Sequence, residues 1–408
     1  MLLLKLASRN LLRNRRRSLI TMAAIVFGMA LMDFTICLQH GSYQEMIRTG
    51  VGSLAGHVVV QGEGYEASGG DSDILVPSSI DVADQLSESV SSPGVVIRRD
   101  FVSGLLSSAD SSAAVVVTAV DPARDKEVGK LHDYLRDGEW LESEGDVLIG
   151  SVLAERLDVD LGDKLVFMMQ LGDEMTSKLF RLKGVLHSGA ADQDGLMAAI
   201  TLEGAKALRG TDEVTQVAMI LDDASNWPAA VEEAKVAFAG QPVEVLSWKE
   251  ALPDIDAFIK VDRGMGQGMI SILGVIVALG VFNTFLMSVL ERTREFGVLL
   301  AIGTKPKQLT QIILLEALVL GVLSIGLGTL VGAALTWPAV EYGIDFSSQM
   351  GEAMTSGGVV MSAQIFAAYN WPRMLVFAAG GLVLTLLAAV WPAWKVSKLS
   401  PVEAMRHH

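Results

Sequence analysis

The chain has 408 residues, half of them hydrophobic, a positive mean hydropathy and one cysteine; these values exclude an ordinary soluble domain and any disulfide within the chain. Acidic residues outnumber basic ones 47 to 32, and 39 of the acids against 18 bases fall within residues 41–267. A segment so negative repels phosphate backbones, so no nucleic-acid partner is expected.

The first 18 residues carry Lys5, Arg9, Arg13, Arg15, Arg16 and Arg17 with no acid, and predict a basic amphipathic helix. Leu19–Leu38 then forms an apolar run long enough to cross a hydrocarbon core of about 30 Å. It is longer than a signal-peptide core, and Thr35–Leu38 lacks a small-x-small cleavage pattern, so an uncleaved first span is predicted. Ile36 stands where an acylation box needs a small residue, which leaves Cys37 as an apolar filler. The flanking arginines orient this span with the N-terminus in the cytoplasm.

Residues 41–267 are expected outside, as an α+β domain large enough to bury its own core. β-Branched runs predict strands at 58–61, 95–97, 113–120, 147–149, 164–169, 179–184 and 217–221. Helical periodicity predicts helices at 80–89, 151–157, 202–208 and 227–238. The Gly-, Ser- and Asp-rich stretch 62–79 reads as a loop. His57, His132 and His187 show neither metal-ligand nor triad spacing, and acid pairs such as Asp192 with Asp194 suit solvated turns, so no catalytic or metal centre is expected.

Three further spans are predicted at Met269–Leu290, Leu309–Trp337 and Met374–Trp394, with an external loop at 338–373 and a cytoplasmic tail at 395–408. Only Asp33 and Glu316 place charge within the four spans. An intramembrane carboxylate is a functional candidate by default. Glu316 lies about two turns into its helix and can instead reach interfacial water or bond the preceding loop, while Asp33 can snorkel outward; these structural readings are preferred.

Between the second and third spans, residues 291–308 predict a short amphipathic helix at the cytoplasmic surface. Phe296, Val298, Leu299, Leu300 and Ile302 are expected against the bilayer, with Arg292, Arg294, Lys305 and Lys307 in water. The chain contains no Gly-x-x-x-x-Gly-Lys-Ser/Thr loop to cradle nucleotide phosphates, so nucleotide hydrolysis would belong to a separate subunit docked on this helix.

Three stretches carry a family resemblance: the basic opening around Leu6–Leu19; the Glu-Arg-x-x-Glu-x-Gly-x-Leu-x-Ala-x-Gly signature from Glu291 to Gly303; and the closing Pro-Ala and Pro-x-Glu-Ala motifs between Trp391 and Arg406. Leu314–Gly321 adds a fourth. The chain thereby resembles the FtsX/MacB-type permeases, transmembrane subunits of type VII ABC transporters. The resemblance implies four transmembrane α-helices with a large α+β extracytoplasmic domain, similar to a MacB periplasmic core, between the first and second. It also implies a multi-pass protein of a bacterial inner membrane, both termini cytoplasmic, with no catalytic or cofactor site of its own. ATP and magnesium would be bound by a dimer of ATPase subunits, and a second permease copy or a related permease would complete the pair. On the matching signature, Glu291, Arg292, Arg294, Glu295, Gly297, Leu300, Gly303 and Lys305 would couple hydrolysis to movement. Gly328-x-x-x-Gly332, with Gly321, Gly380 and Gly381, offers small-residue faces for packing the spans.

Gly52–Val60 and Gly343–Phe346 are similar to the lipoprotein-releasing (LolC/LolE-like) branch, which extracts lipidated proteins from the outer leaflet. Met29, Met32, Phe34, Met265, Met269 and Ile272 are the candidates for lining such a substrate cavity. Two other readings stay open: a signalling permease that activates a periplasmic cell-wall hydrolase, whose relatives have smaller external domains, and efflux of peptides or antibiotics, whose relatives often fuse the ATPase to the N-terminus. Release of a lipoprotein or other amphipathic substrate is the reading preferred here.

Overall fold

The computed structural model describes residues 15–70, 73–172, 174–350, 353–356 and 359–398; the predicted opening helix before Arg15 and the Pro-x-Glu-Ala end lie outside them. The chain divides into two units, one built from residues 1–43, 261–344 and 365–408, the other from residues 44–260 and 345–364.

The first unit contains the apolar parts of four long helices, Arg15–Ser53, Pro253–Glu291, Pro306–Glu341 and Trp371–Ser397, each long and apolar enough to cross a membrane. Helix is the form expected there, because a hydrocarbon environment offers backbone groups no water and each must bond within its own segment. Prolines open three of these helices at first-turn positions, where the missing N–H has no partner to lose. The first two have 39 residues each, about 58 Å at 1.5 Å per residue, so the apolar runs read from the sequence are segments of much longer rods.

Glycines set how closely the rods approach. A methyl group placed on Gly328 would fall 2.7 Å from Met29 Cβ, and one on Gly332 would fall 2.9 Å from Asp33 Cβ and 3.1 Å from Ala30 Cα. The third helix therefore meets the first through the Gly328/Gly332 face. Gly321 meets Leu382 and Thr385 of the fourth helix in the same way. Hydroxyls in these helices bond back one turn: Ser324 to Leu320 O, Thr336 to Gly332 O and Thr385 to Gly381 O. Asp33 does not snorkel as expected. Packed under Gly332, it is fully buried, and its carboxylate oxygens have no hydrogen-bond partner among the described residues.

The second unit is a mixed ten-stranded sheet with helices. Its strands are β1 (Val58–Gly62), β2 (Gly94–Ser107), β3 (Ser112–Val120), β4 (Leu135–Gly138), β5 (Asp146–Gly150), β6 (Lys164–Leu171), β7 (Glu174–Leu186), β8 (Met197–Thr201), β9 (Gln216–Leu221) and β10 (Val243–Ser247). They run in the order β10-β1-β9-β2-β3-β8-β5-β7-β4, with β6 pairing β2 and β7. Most neighbours are antiparallel; β3 with β8 and β5 with β7 are parallel. One core gathers Val102, Leu106, Val117, Leu165, Phe167 and Phe180 beneath the helix Ser151–Leu157. Another gathers Val58, Val60, Val217 and Met219 against the helices Val82–Ser89 and Trp227–Ala237.

β2 belongs to both cores. Its start pairs with β9 and its end with β6. The strand expected at 95–97 runs on in the structure through Arg98, Arg99 and Asp100. In the fold Arg99 pairs with Asp125 at 3.0 Å, Asp100 with Arg209 at 2.7 Å, and all four side chains are buried. Arg99 also donates to the carbonyls of Ala55, at 3.0 Å, and Gly52. Burial pushes both carboxyls up from the usual range, which their arginine partners oppose.

Strands β4, β8 and β10 were not foreseen. β8 reads Met-Ala-Ala-Ile-Thr, a helix-favouring composition, and takes strand form because it is buried throughout between β3 and β5. Residues 345–364, expected only as loop, join this unit and include two strands, Ala353–Ser356 and Val359–Ser362, that pair antiparallel.

If the Gly328 face seats the first helix, Gly328→Leu should overpack the bundle and lower its stability by about 1–3 kcal/mol. Gly326→Leu, where an added Cβ meets nothing within 4 Å, should leave it unchanged. Thermal unfolding of the two purified variants in detergent compares them.

Candidate functional site

The second membrane helix ends at Glu291, and a nine-residue helix, Thr293–Ala301, leads to Pro306 at the start of the third. Its two ends are fixed by different means. At the start, the Thr293 hydroxyl donates to Leu290 O at 2.9 Å and Val289 O at 3.1 Å. At the end, Gly303 adopts φ +105°, its N–H bonds Leu300 O, and the Thr304 N–H bonds Leu299 O. This is a Schellman closure, and it explains why the signature ends on glycine: a side chain there would be strained. Gln308 Oε1 then accepts from the Lys305 N–H at 2.9 Å and caps the next helix.

Phe296 and Gly297 are buried, and Phe296 packs among Val289, Leu309, Ile313, Ala393 and Val396. Arg292 is the central contact. Its Nη1 lies 3.1 and 3.3 Å from the two oxygens of Glu316, its Nε 3.2 Å from Glu295, and its guanidinium 5.1 Å from the Phe296 ring. Only 12% of the Arg292 side chain and 6% of that of Glu316 are exposed. The expectation that Arg292 faces water is therefore corrected, and of the two structural readings of Glu316, bonding to the preceding loop is the one observed. The physical reason is desolvation: a carboxylate two turns into an apolar helix needs a partner, and Arg292 supplies a cation at 3.1 Å. Of the apolar residues expected against the bilayer, Phe296 and in part Leu300 instead pack inward on the protein. Val298, Leu299 and Ile302 are exposed on the protein surface, Ile302 at 79%, beside Glu291, Arg294, Glu295 and Lys305. Charge and apolar surface lie side by side on a rigid helix, the mixture found at the centre and rim of protein interfaces.

The FtsX-like permease C-terminal family matches residues 268–401, and the MacB-like periplasmic core domain matches residues 18–237. The chain belongs to the FtsX/MacB-type permeases. It is 22% identical to the lipoprotein-releasing system transmembrane protein LolC of Xylella fastidiosa, across 97% of each chain. It is 23% identical to the macrolide export ATP-binding/permease protein MacB of Bdellovibrio bacteriovorus, across 97% of this chain and 60% of that one. The solved periplasmic region of MacB from Actinobacillus actinomycetemcomitans aligns with 51% of this chain and 94% of its own, at 15% identity and a TM-score of 0.35. This permease is thus a multi-pass membrane protein of the ABC transporter class, of the LolC/LolE/MacB type.

The residues proposed for a substrate cavity separate in the structure. Met29 and Met32 line a cavity of about 330 Å³, together with Ile270, Gly274, Gly380 and Leu384. Met265, Met269 and Ile272 are exposed on other faces of the second helix, and Phe34 packs near Cys37 and Met374. The fourth helix's share in this cavity was missed; the spacing 267, 270, 271, 274, 277, 278 on the second helix was the available signal.

In the permease's external unit, His57 is a satisfied core residue. Its Nδ1 accepts the Leu221 N–H at 3.0 Å, and burial holds its ring below the ordinary histidine range. His187 was read as isolated but meets Ser151 and Asp194. The Ser151 hydroxyl (3.0 Å) and the Asp194 carboxylate (3.1 Å) approach the same ring nitrogen, Nδ1, so no relay through the ring from acid to hydroxyl is arranged as nucleophilic catalysis requires. Among the described residues, no group of three or more His, Cys, Asp or Glu could hold a metal ion.

Removing either partner of the Arg292–Glu316 pair, as Arg292→Gln or Glu316→Gln, should destabilise the permease by about 2–3 kcal/mol, a charge-assisted bond broken in a poorly hydrated site. The double variant should cost less than the sum. A double-mutant cycle on thermal unfolding measures that coupling, and strict additivity would contradict the pairing.

Proposed function

We propose that this permease is the membrane subunit of a lipoprotein-releasing ABC transporter, moved by a separate ATPase that docks on the Thr293–Ala301 helix. The observation that carries the reading is the Arg292 clamp. A push on the exposed Arg294, Glu295, Val298 and Ile302 surface moves a helix whose base is bonded through Arg292 to Glu316. Because Glu316 lies in the third membrane helix, the push reaches the bundle directly instead of being lost in a flexible loop. The partner ATPase would bind ATP and magnesium, and this chain's part would be to receive and transmit the movement.

The positive-inside rule supports placing this helix and both termini on the cytoplasmic side of a bacterial inner membrane, with residues 44–260 outside. A second permease, identical or related, completes the assembly in this reading. Lipoprotein release is favoured over macrolide export because the match to LolC runs along nearly the whole of both chains, whereas the MacB relative extends well beyond the aligned part.

Reversing charge at Glu291 and Arg294 together should reduce co-purification of the ATPase at least tenfold, roughly 1.4 kcal/mol or more, while the permease remains folded and inserted. In proteoliposomes holding the wild-type pair, ATP should release a diacylated lipoprotein to a soluble acceptor. Retention of the lipoprotein alongside macrolide efflux, or alongside activation of a cell-wall hydrolase, would replace the substrate reading and leave the docking intact. Undiminished ATPase binding by the reversed variant would remove the docking itself.

A further inference from the structure

We propose that the cavity among the first, second and fourth membrane helices binds one acyl chain of an anionic glycerophospholipid, with the lipid phosphate held by Arg263 and Arg373. The cavity, about 330 Å³, lies within the range of built ligand sites, roughly 300–1,000 Å³. Its walls are mostly apolar, with Met29 and Met32 facing Ile270, Phe377 and Leu384 and with Ile325 of the third helix at one side; Gln267, Ser271 and Thr385 are the polar exceptions. The hollow exists because Gly380 and Gly381 bring no side chain to it: a Cβ on Gly380 meets nothing within 4 Å, and one on Gly381 only Ile325 at 3.6 Å and Met29 at 4.0 Å.

Two cations stand one helical turn beyond this apolar space, at the end of the bundle remote from Glu291. Arg263 precedes the lining residue Gln267 by four positions, and Arg373 precedes Phe377 by four, so each sits above the cavity face of its own helix. They also converge, since the charges of both act on His40 and on Tyr43 of the first helix, and Arg263 lies 5.7 Å from the Tyr43 ring. Arg263 is exposed and Arg373 half-buried, and neither makes an ion pair among the described residues. The acid beside them, Asp262, is engaged by Tyr43 Oη at 2.5 Å and Gln39 Nε2 at 3.3 Å. A net positive mouth over an apolar slot matches a phosphate above a fatty chain, and guanidinium groups bond phosphate with charge assistance. The diacylglyceryl cysteine of a lipoprotein carries no phosphate, so the arginine pair selects a membrane phospholipid and not the transported substrate.

The full chain, reconstituted in phosphatidylcholine vesicles with a trace of spin-labelled phosphatidylglycerol or spin-labelled phosphatidylcholine, tests this by electron spin resonance. Wild type should immobilise the phosphatidylglycerol label in preference by about fivefold, from two basic groups at a membrane surface. Arg263→Gln with Arg373→Gln should bring the preference close to parity. Gly380→Leu, entering open space, should reduce the immobilised fraction of both labels with unfolding temperature unchanged. Equal immobilisation of the two labels by wild type would overturn the proposal, as would a preference that survives loss of both arginines. Gly380→Cys chains that cross-link to one another in the membrane would also overturn it, by showing a second copy seated where the lipid was placed.

Discussion

A bilayer interior offers no water to a charge, and the way this permease meets that constraint at Glu316 organises its membrane end. The carboxylate lies in an apolar helix, and Arg292 is placed against it at 3.1 Å. Arg292 in turn stacks on Phe296 and bonds Glu295, so one guanidinium fixes the angle at which the short connecting helix leaves the second membrane helix. The Schellman turn at Gly303 fixes the other end. Between these anchors the connection is a short helix fastened at both ends.

The external unit meets the same problem of burial with a different solution. Arg99 and Asp100 occupy the middle of the longest strand, each matched to an opposite charge brought from elsewhere in the chain. Such pairs stabilise little compared with apolar packing, but losing one partner would strand the other in the core. Their effect is geometric: β2 passes unbroken between two cores, and the helix 122–128 carrying Asp125 is held over the strand. Arg99 further bonds the carbonyls of Gly52 and Ala55, which tie the approach to β1 into the same network.

The difference between legible and illegible features follows the range of the forces involved. The four apolar runs, the Gly328/Gly332 face and the turn residues around Gly303 announce themselves within one segment, through hydropathy, small-residue spacing and the backbone preference of glycine. Most strands of the external unit do so too, by alternation. Features that failed to show were those in which a partner arrives from far along the chain. Arg98-Arg99-Asp100 reads as a strand end until Asp125 and Arg209 are adjacent; Met197–Thr201 carries no strand signal until β3 and β5 enclose it; His187 reads as solitary until Ser151 and Asp194 reach it.

The sequence by itself determined that the chain crosses a membrane as four helices, that an acidic α+β domain interrupts them, and that a signature-bearing amphipathic segment joins the second and third, because these are properties of local hydropathy and charge. Tertiary structure alone decided which face of that segment is buried, that Arg292 closes on Glu316 and not on water, and that the fourth helix shares a cavity with the first two. Each of those depends on distances between side chains tens to hundreds of residues apart, which burial and pairing energies set only once the helices have packed.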